Sequence, residues 1–349
     1  MPNDPRYVTL QDVATLAGVS IKTVSRVVNN QGEITDATRQ RVQAAIDELG
    51  YQPNILARSL VSRRTDTLAV VAWGIDYFGP SRVMVGIEQQ AEELGYSLFL
   101  DLVPQPDTHN SERILSTLLS RRVDGIIWAV PEVGDNRVWF SAEALERFPP
   151  IVFLSMAPRA GLMIVAANNR SGARQAVAHL IQQGRRRIGV ITGPMAWWEA
   201  RQRHVGWEES LQQVGLEPSA ALQVESYWSA AGGERATQQL LRQAPDVDAI
   251  FACSDQIALG ALQTLHQTGR AVPEQVAIVG FDNMPESAYF WPPLSTVYQK
   301  LVTVGHTSVQ NLHQMIEARR RHAERPETST AFIEPELIIR ASSGPVLNP

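Results

Sequence analysis

The sequence has very little cysteine and no long apolar run. Cys253 is the single cysteine among 349 residues, so no disulfide can form within the chain, and we expect a reducing compartment. No stretch of about 18 apolar residues occurs, which argues against a membrane-spanning helix and a membrane partner. The N-terminal residues Met1 to Arg6 lack the apolar segment of a secretory signal. We therefore expect the protein in the cytoplasm.

Enzyme signatures are also missing from the sequence. It contains no Gly-x-Ser-x-Gly elbow, no P-loop and no Gly-x-Gly-x-x-Gly stretch. The seven histidines are scattered without an evident acidic partner, and no Cys/His cluster has metal-ligand spacing. The sequence therefore predicts a protein that is not an enzyme and that holds neither a metal nor a cofactor.

The N-terminal region carries the pattern of two short helices joined by a tight turn. Thr9 precedes a segment with Asp12 at its third helical position, which is the arrangement of a capping box. Gly18 marks the end of the first helix, and Ser20 is placed to cap a second. The apolar stripes of these helices are Leu10, Val13, Ala14, Ala17, Val24, Val27 and Val28. Two helices joined by a glycine-containing turn are typical of the helix-turn-helix unit.

The second helix of this unit presents groups that can bond base edges and phosphates on its outer side. These residues are Ile21, Lys22, Thr23, Ser25, Arg26 and Asn29. A third helix is expected from about Asp36 to Leu49, capped near Thr35 and ended by Gly50. The pattern predicts a three-helix, all-α headpiece.

The charge of the chain is unevenly distributed. The net charge of −5 speaks at first against a nucleic-acid partner, but residues 1–64 hold eight Lys and Arg against six Asp and Glu, a net +2. The remaining residues carry the excess of negative charge. Because a surplus of two positive charges is small, we expect two headpieces to act together on DNA.

Five short motifs, in order, resemble the LacI/GalR family of bacterial transcriptional repressors. They are Thr9-Leu-x-Asp-Val-Ala, Ala17-Gly-Val-Ser, Thr23-Val-Ser-Arg-Val-Val-Asn29, Ala37-Thr-Arg and Leu49-Gly-Tyr-x-Pro-Asn54. The resemblance continues to about Arg340. It implies a sequence-specific regulator, located with the nucleoid, that binds a pseudo-palindromic operator as a homodimer. It also implies that a small molecule, most often a sugar, controls operator affinity allosterically.

The same resemblance implies a set of DNA-contacting residues. In the headpiece they are Thr9, Leu10, Ser20, Ile21, Lys22, Thr23, Ser25, Arg26 and Asn29. In a short hinge helix that orders on DNA they are Asn54, Ala57 and Leu60. Leu60 matches the residue that wedges into the minor groove, where apolar side chains unstack a base step and bend the duplex. The alternative is a plain linker whose leucines contact the next domain.

From Thr67 onward, apolar strands alternate with amphipathic helices, which predicts parallel sheets with helices on both faces. The expected strands are 68–72, 97–102, 125–129, 151–154, 188–192, 222–225, 249–253 and 276–280. The expected helices are 81–94, 111–121, 171–183, 200–214, 231–243 and 255–268. Leu118 to Ile127 and Leu240 to Phe251 hold matching places in the two halves, which indicates a duplicated lobe.

The predicted fold class is therefore an all-α helix-turn-helix headpiece followed by an α/β core of two doubly wound parallel-sheet lobes. The resemblance implies that this core is like the type I periplasmic binding proteins. The expected divisions are headpiece 1–53, hinge 54–65, first lobe 66–166 with 298–328, second lobe 167–297 with 329–341, and tail 342–349. The tail is too short and broken for a coiled coil, so we expect a dimer rather than a tetramer.

Ligands of open α/β sheets sit beyond the carboxyl ends of the strands, and the residues there suit a sugar. Aromatic faces can stack on C–H groups, while carboxylates and guanidinium groups bond hydroxyls. Together, this rule and the resemblance give Tyr77, Phe78, Trp128, Ser155, Arg203, Trp228, Ser254, Asp282 and Gln299 as effector-binding residues.

The same residues are compatible with several alternatives. Trp128 and Phe78 are also compatible with a core position. Tyr77-Phe78 suits a purine-like co-repressor, although a carboxylate at Glu199 is a poor match for one. A sugar-binding protein without DNA-binding activity is a further alternative, and residues 1–60 argue against it. An effector that releases the operator is favoured over one that strengthens operator binding, and the only reason is that induction is the commoner mode in the family.

Overall fold

The computed structural model describes residues 8–28, 32–51, 64–106, 111–138, 140, 142–324 and 326–344. They form two compact units, Met1–Thr65 and Asp66–Pro349. Four predicted DNA-contacting residues, Asn29, Asn54, Ala57 and Leu60, lie outside the described residues, and so does the predicted hinge helix.

The described part of the first unit contains three helices, α1 (Leu10–Ala17), α2 (Ile21–Val28) and α3 (Asp36–Leu49). Thr9 and Asp12 form the capping box: the Thr9 amide donates to Asp12 Oδ2 at 2.9 Å, and the Asp12 amide donates to Thr9 Oγ1 at 3.4 Å. Gly18 and Gly50 end α1 and α3 with φ angles of 64° and 61°, in the left-handed region that glycine adopts most easily.

The core of the first unit is built from one valine of each helix. Val13, Val24 and Val42 are each 0% exposed. Around them pack the remaining apolar residues of the predicted stripes, together with Tyr51, which lies just after α3. The Ser20 hydroxyl accepts from the Thr23 amide at 3.2 Å and caps α2 as predicted. Thr35 precedes α3, but its side chain makes no capping hydrogen bond.

The second unit contains two six-stranded sheets. The first sheet has the order β11-β5-β4-β3-β1-β2 and is parallel throughout. Its strands are β1 (Thr67–Ala72), β2 (Ser97–Leu102), β3 (Gly125–Ala129), β4 (Ile151–Leu154), β5 (Met163–Ala167) and β11 (Thr330–Ile333).

The second sheet has the order β12-β10-β9-β8-β6-β7, and its edge strand β12 runs antiparallel to β10. Its strands are β6 (Ile188–Thr192), β7 (Gln223–Glu225), β8 (Ala249–Ala252), β9 (Ala277–Phe281), β10 (Ser295–Tyr298) and β12 (Glu336–Ile338). When the strands of each sheet are numbered from 1 to 6 in chain order, both sheets have the order 6-5-4-3-1-2. The predicted duplication is thus visible in the topology, with β3 and β8 in equivalent places.

Helices cover both faces of the sheets, as the alternation of elements predicts. They are α4 (Phe78–Glu93), α5 (Ser111–Ser120), α6 (Ala142–Leu145), α7 (Asn169–Gln182), α8 (Trp198–Gln213), α9 (Ala230–Gln243), α10 (Asp255–Gln267) and α11 (Leu301–Arg320). The chain passes between lobes three times: after β5, after β10 and between β11 and β12. The expected fold class agrees with this architecture.

Three features differ from the sequence-based expectation, whose eight strands did not include β5, β10, β11 or β12. The last crossing was expected near 328, yet β11 belongs to the first sheet, so the chain crosses at Glu334-Pro335. The expectation also lacked α11, which packs against α4 and strands of the first sheet. The first turns of α11 contain Val302, Thr303, Val304 and Gly305, which are poor helix formers, so tertiary packing and not local propensity stabilises this helix.

Candidate functional site

A cavity lies between the two lobes of the second unit, at the carboxyl ends of the strands. Ala72 ends β1 and Ala129 ends β3, and both line it. These neighbouring strands mark the point where the order of the first sheet reverses, which is where open α/β sheets bind ligands. The cavity contains about 1100 Å³ of empty space with its mouth included, enough for a small organic ligand.

The two lobes contribute different chemistry to this cavity. The first lobe contributes mainly apolar side chains, among them Val83, Met84 and Ile87 from α4 and Leu301 and Val304 from α11. The second lobe contributes the charged and amide groups, which are Asn169, Glu199, Arg203, Gln256, Asp282 and Gln299. The cavity therefore has a polar half and an apolar half.

Arg203 is the centre of the polar half. Its guanidinium is held by three hydrogen bonds: Nε donates to Asn169 Oδ1 at 2.7 Å, Nη1 to the Cys253 carbonyl at 2.5 Å, and Nη2 to Gln299 Oε1 at 3.3 Å. The guanidinium carbon also lies 3.9 Å from the ring centroid of Phe281. Because it is fixed on all sides, Arg203 can present its remaining N–H groups to a ligand without losing side-chain entropy.

Asp282 lies beside Arg203, with 3.9 Å between Oδ1 and Nη1. Burial raises the pKa of Asp282 to about 7, although the Arg203 charge opposes this rise. Its backbone φ is 123°, a conformation that non-glycine residues rarely adopt. Ser155, on the opposite lobe, also has a positive φ of 52°. Backbone strain of this kind is concentrated at functional sites.

Glu199 is a second carboxylate in the polar half. It lies one helical turn before Arg203 on α8, so both side chains share a face of that helix. Burial raises the pKa of Glu199 to about 6, although the Ser155 hydroxyl near its carboxylate opposes this rise. Its Oε2 atom is buried and has no hydrogen-bond partner among the described residues.

A row of aromatic rings runs from the first lobe to the second. Trp73 lies 5.5 Å from Tyr77 and 5.3 Å from Trp197, centroid to centroid. Trp197 in turn lies 6.1 Å from Trp228. Tyr77, Trp197 and Trp228 line the cavity. The cavity therefore offers ring faces next to its hydrogen-bonding groups.

The lobes are joined beside the cavity by hydrogen bonds between two loops. The Trp198 amide donates to the Glu132 carbonyl at 3.0 Å, and the Gly134 amide donates to the Ala196 carbonyl at 2.9 Å. The Glu132 carboxylate accepts from the Ala157 amide at 2.8 Å and lies 3.8 Å from Arg201 of the second lobe. These contacts connect the two lobes directly beside the cavity.

Most of the effector residues expected from the sequence come together in this cavity. Those that line it are Tyr77, Phe78, Ser155, Arg203, Trp228, Ser254, Asp282 and Gln299. The Ser254 hydroxyl also caps α10 by accepting from the Ile257 amide at 3.1 Å.

Trp128 is the exception, and the expectation that it contacts ligand was wrong. It is 2% exposed and packs in the core of the first lobe, with its ring 5.2 Å from that of Phe140. Asp255, another residue that follows a strand, lies behind the cavity. Its carboxylate accepts hydrogen bonds from Ser287, from Thr296 at 2.5 Å and from the Met284 amide at 2.8 Å.

Four polar or aromatic residues of the cavity were absent from the sequence-based set, namely Asn169, Trp197, Glu199 and Gln256. Asn169 follows β5, a strand that the sequence reading did not include, so the strand-end rule missed it. Glu199 could have been predicted, because it lies four positions before Arg203 and therefore on the same face of the helix. Trp197 offered no such signal, because it enters the cavity from a loop.

The outer face of α2 carries the other expected site. Ile21, Lys22 and Arg26 are exposed, and Ile21 retains 44% of its surface. Thr23 and Ser25 are half-buried beside them, and the Thr23 hydroxyl lies 2.9 Å from that of Ser20. An exposed isoleucine on the same helix face as two cations suits contact with base edges and phosphates.

A helix-turn-helix unit in the same chain as a two-lobed α/β unit with an interlobe cavity defines a ligand-responsive DNA-binding regulator. The comparisons with known proteins agree with this class. Residues 9–54 match the model of bacterial regulatory proteins of the lacI family, and residues 177–343 match a periplasmic binding protein-like domain.

Relatives align over nearly the whole chain. The lactose operon repressor of Escherichia coli (strain K12) is 32% identical over 312 residues, 89% of this chain and 86% of the relative. The ribose operon repressor of the same organism is 32% identical over 329 residues, 93% of this chain and 98% of the relative. The repressor PurR of Haemophilus influenzae (strain PittEE) is 31% identical over 343 residues, 97% and 99% of the two chains.

Solved structures agree in fold. The lac repressor dimer bound to operator and the anti-inducer ONPF aligns with a TM-score of 0.85 at 29% identity, over 97% of this chain and 99% of that one. A complex of the regulator CelR with cellobiose aligns with a TM-score of 0.71 at 32% identity, over 96% and 99% of the two chains.

This chain belongs to the LacI family. It is a DNA-binding transcriptional repressor of the kind that a small-molecule effector controls. Within the described residues, no helix has the length and apolar character needed to cross a bilayer.

Proposed function

We propose that this repressor binds an inverted-repeat operator as a homodimer and that a saccharide in the interlobe cavity releases it. The observation that carries the proposal is the polar half of the cavity, where Arg203, Asp282 and Gln299 form one hydrogen-bonded group beside the Trp228 ring. Hydroxyl groups of a sugar can bond the charged and amide groups, while the C–H face stacks on an indole. DNA binding also implies a cytoplasmic location with the nucleoid.

Tyr77, Phe78, Ser155 and Ser254 complete the proposed effector site from the sequence-based set. Tyr77 and Phe78 begin α4, next to the apolar side chains of that helix. Their position in the cavity also favours a second candidate, a purine-like co-repressor stacked between aromatic rings. Glu199 argues against it, because its carboxylate stands where a purine-binding site offers a neutral group. A saccharide is the better fit.

The proposed coupling uses closure of the cleft between the lobes. A ligand that contacts both lobes stabilises the closed arrangement by its differential affinity for the two states. We infer that closure moves the first-lobe segments at the start of the core and thereby changes the separation of the two DNA-reading heads. Leu60, Ala57 and Asn54 are proposed to contact the operator centre, and Asn29 a half-site.

In the proposed DNA interface, one group of residues holds the headpiece at a defined position by contacting the DNA backbone and the bases that operators of the family share. These residues are Thr9, Leu10, Ser20, Thr23, Ser25 and Arg26. Ile21 and Lys22 choose the sequence, with Lys22 favouring guanine O6/N7 and Ile21 a thymine methyl. Lys22→Ala tests this assignment when operator affinity is measured across base variants. A loss confined to particular base pairs supports base reading, and an equal loss on every sequence reduces Lys22 to a phosphate contact.

The effector assignment is tested by a thermal-shift screen of sugars, repeated with Asp282→Asn and Arg203→Ala. Arg242 is exposed on α9, and Arg242→Ala is the matched control. We expect a stabilising sugar to lose its effect in the two cavity variants and to keep it in the control. The same sugar should weaken operator binding in fluorescence anisotropy. Ligand stabilisation that survives in both cavity variants would remove the site, and tighter operator binding would make the sugar a co-repressor.

A further inference from the structure

The polar half of the cavity has more acidic than basic side chains. Glu199 and Asp282 contribute two carboxylates, and Arg203 contributes the cation. Three of the N–H groups of Arg203 already donate to protein acceptors, at Asn169, Cys253 and Gln299. The guanidinium therefore keeps one N–H on Nη1 and one on Nη2 for a ligand, while two carboxylates of the cavity balance its charge.

Glu199 is the carboxylate with unused capacity. The Ser155 hydroxyl lies near its carboxylate, while Oε2 is buried and lacks a partner among the described residues. Buried polar atoms are almost always hydrogen-bonded, because an unmade bond costs the full desolvation of the group. Since Glu199 is half-buried and lines the cavity, a ligand donor can complete its bonding once the side chain turns Oε2 toward the cavity.

We propose that Glu199 is a specificity-determining residue, which accepts a hydrogen bond from a hydroxyl of an uncharged sugar and excludes sugars that carry a carboxylate or a phosphate. This inference rests on the proposed function, since it assumes a saccharide in the cavity. A ligand anion placed near Oε2 meets a like charge in a site of low dielectric, which costs far more than the same contact in water. Selection thus arises from one attraction and one repulsion at the same atom.

The rival explanation is structural: Glu199 is present to bond Ser155 and hold the lobes together. The two explanations differ in the ligand-free protein. If Glu199 is kept for a ligand, Glu199→Gln removes a buried charge and leaves the melting temperature unchanged or higher. If Glu199 is a structural tie, the same change lowers the melting temperature. Glu217, exposed after α8, provides the matched control Glu217→Gln.

The binding test uses full-length protein and matched sugars. Methyl glycosides of glucose, galactose and mannose are compared with their uronic acids and 6-phosphates by isothermal titration calorimetry. In the native protein at pH 8 we expect each bound configuration to favour the neutral form by about a hundredfold. Glu199 sets this limit, because a carboxyl with a pKa of about 6 can take up a proton beside an anion at a cost of about a hundredfold at that pH. In Glu199→Gln the neutral sugar binds about tenfold more weakly and the preference falls below about tenfold. Glu217→Gln behaves as the native protein.

The outcomes separate the two proposals. Equal or tighter binding of the anionic forms by the native protein overturns the role of Glu199 and leaves the saccharide site intact. An unchanged preference in Glu199→Gln also overturns the role of Glu199 and leaves the saccharide site intact. A lowered melting temperature of that variant without ligand has the same consequence. If no sugar of any charge binds, the saccharide proposal fails and this inference fails with it.

Discussion

Gln299 bonds Asp282 through its amide nitrogen, which donates to Oδ1 at 2.5 Å. Its amide oxygen accepts from Arg203, so one neutral side chain connects the acid and the base. Gln299 is 4% exposed and follows β10 at the crossing between lobes. The pairing fixes which face of the Asp282 carboxylate remains free for a ligand.

Replacing Gln299 tests how much its hydrogen bonds to Asp282 and Arg203, here called the bridge, stabilise the fold. We expect Gln299→Ala to lower the free energy of unfolding by about 1–3 kcal/mol, because it leaves a buried carboxylate and a guanidinium N–H without their partner. Urea unfolding followed by circular dichroism measures the change. Gln314 is exposed on α11, and Gln314→Ala is expected to have almost no effect. Similar losses in both variants would mean that the bridge contributes little.

The raised pKa of Asp282 predicts how stability depends on pH. The folded protein keeps a proton on Asp282 up to about pH 7, whereas an unfolded aspartate releases it near pH 4. The unfolding free energy therefore falls as pH rises between these values and is level above them. Glu199, with a pKa of about 6, acts in the same direction.

Asp282→Asn should flatten this fall in thermal melts of the ligand-free protein between pH 4 and pH 8. The fall is a few kcal/mol at most, since one pKa unit corresponds to about 1.4 kcal/mol. Asp76 is exposed, and Asp76→Asn should retain the native profile. A native protein whose stability rises across this window would contradict the argument.

Glu132 is expected to control how readily the cleft opens. Its carboxylate accepts from the Ala157 amide and lies near Arg159 and Arg201, each at 3.8 Å. Glu132→Gln removes the charge that attracts Arg201 across the cleft. We expect about tenfold faster hydrogen exchange at the Trp198 amide, whose acceptor is on the other lobe. Exposed Glu143→Gln serves as the control, and identical exchange in both variants would argue against an electrostatic tie.

The apolar half of the cavity predicts a preference for substituted sugars. If a glycoside places its sugar against Arg203, its substituent points toward Met84 and Val304, and each added methylene gains at most about 0.8 kcal/mol. Butyl glycosides should then bind more tightly than methyl glycosides of the same sugar. Met84→Asn should reduce that gain, as calorimetry can measure. A gain that the variant retains would place the substituent elsewhere.

Gly18 tests the turn of the headpiece. Its φ of 64° is in the left-handed region, and an added Cβ would meet no atom within 4 Å, so backbone conformation alone sets the cost of substitution. Gly18→Ala should destabilise the headpiece by roughly 1–2 kcal/mol. Asparagine tolerates this conformation better, so Gly18→Asn should cost less. Hydrogen exchange at the Val13 amide reports the difference, and equal effects would contradict a purely conformational cost.

The sequence by itself determined the headpiece and most strands of the core. The signals for α1 to α3 lie within a few residues of the helix ends: the Thr9–Asp12 capping box, Ser20, Gly18 and Gly50. Such signals act locally, because a cap bonds an amide of its own helix. Apolar runs likewise mark buried strands without reference to their partners. Asp282 was found because motif and strand-end position agreed, and Arg203 because the motif placed it near the start of the helix after β6.

Only the tertiary structure decided which candidate side chains face the cavity. Trp128 and Ile127 are neighbours on β3, yet they pack in different clusters on opposite faces of the sheet. The rule that ligands bind beyond the carboxyl ends of strands gives the position of a residue along its strand. It does not give the face of the sheet on which the side chain lies, and it therefore included Trp128. Glu199 meets Ser155 from the other lobe, 44 positions away in the sequence. Such a contact depends on how the lobes dock, and a local pattern carries no information about that.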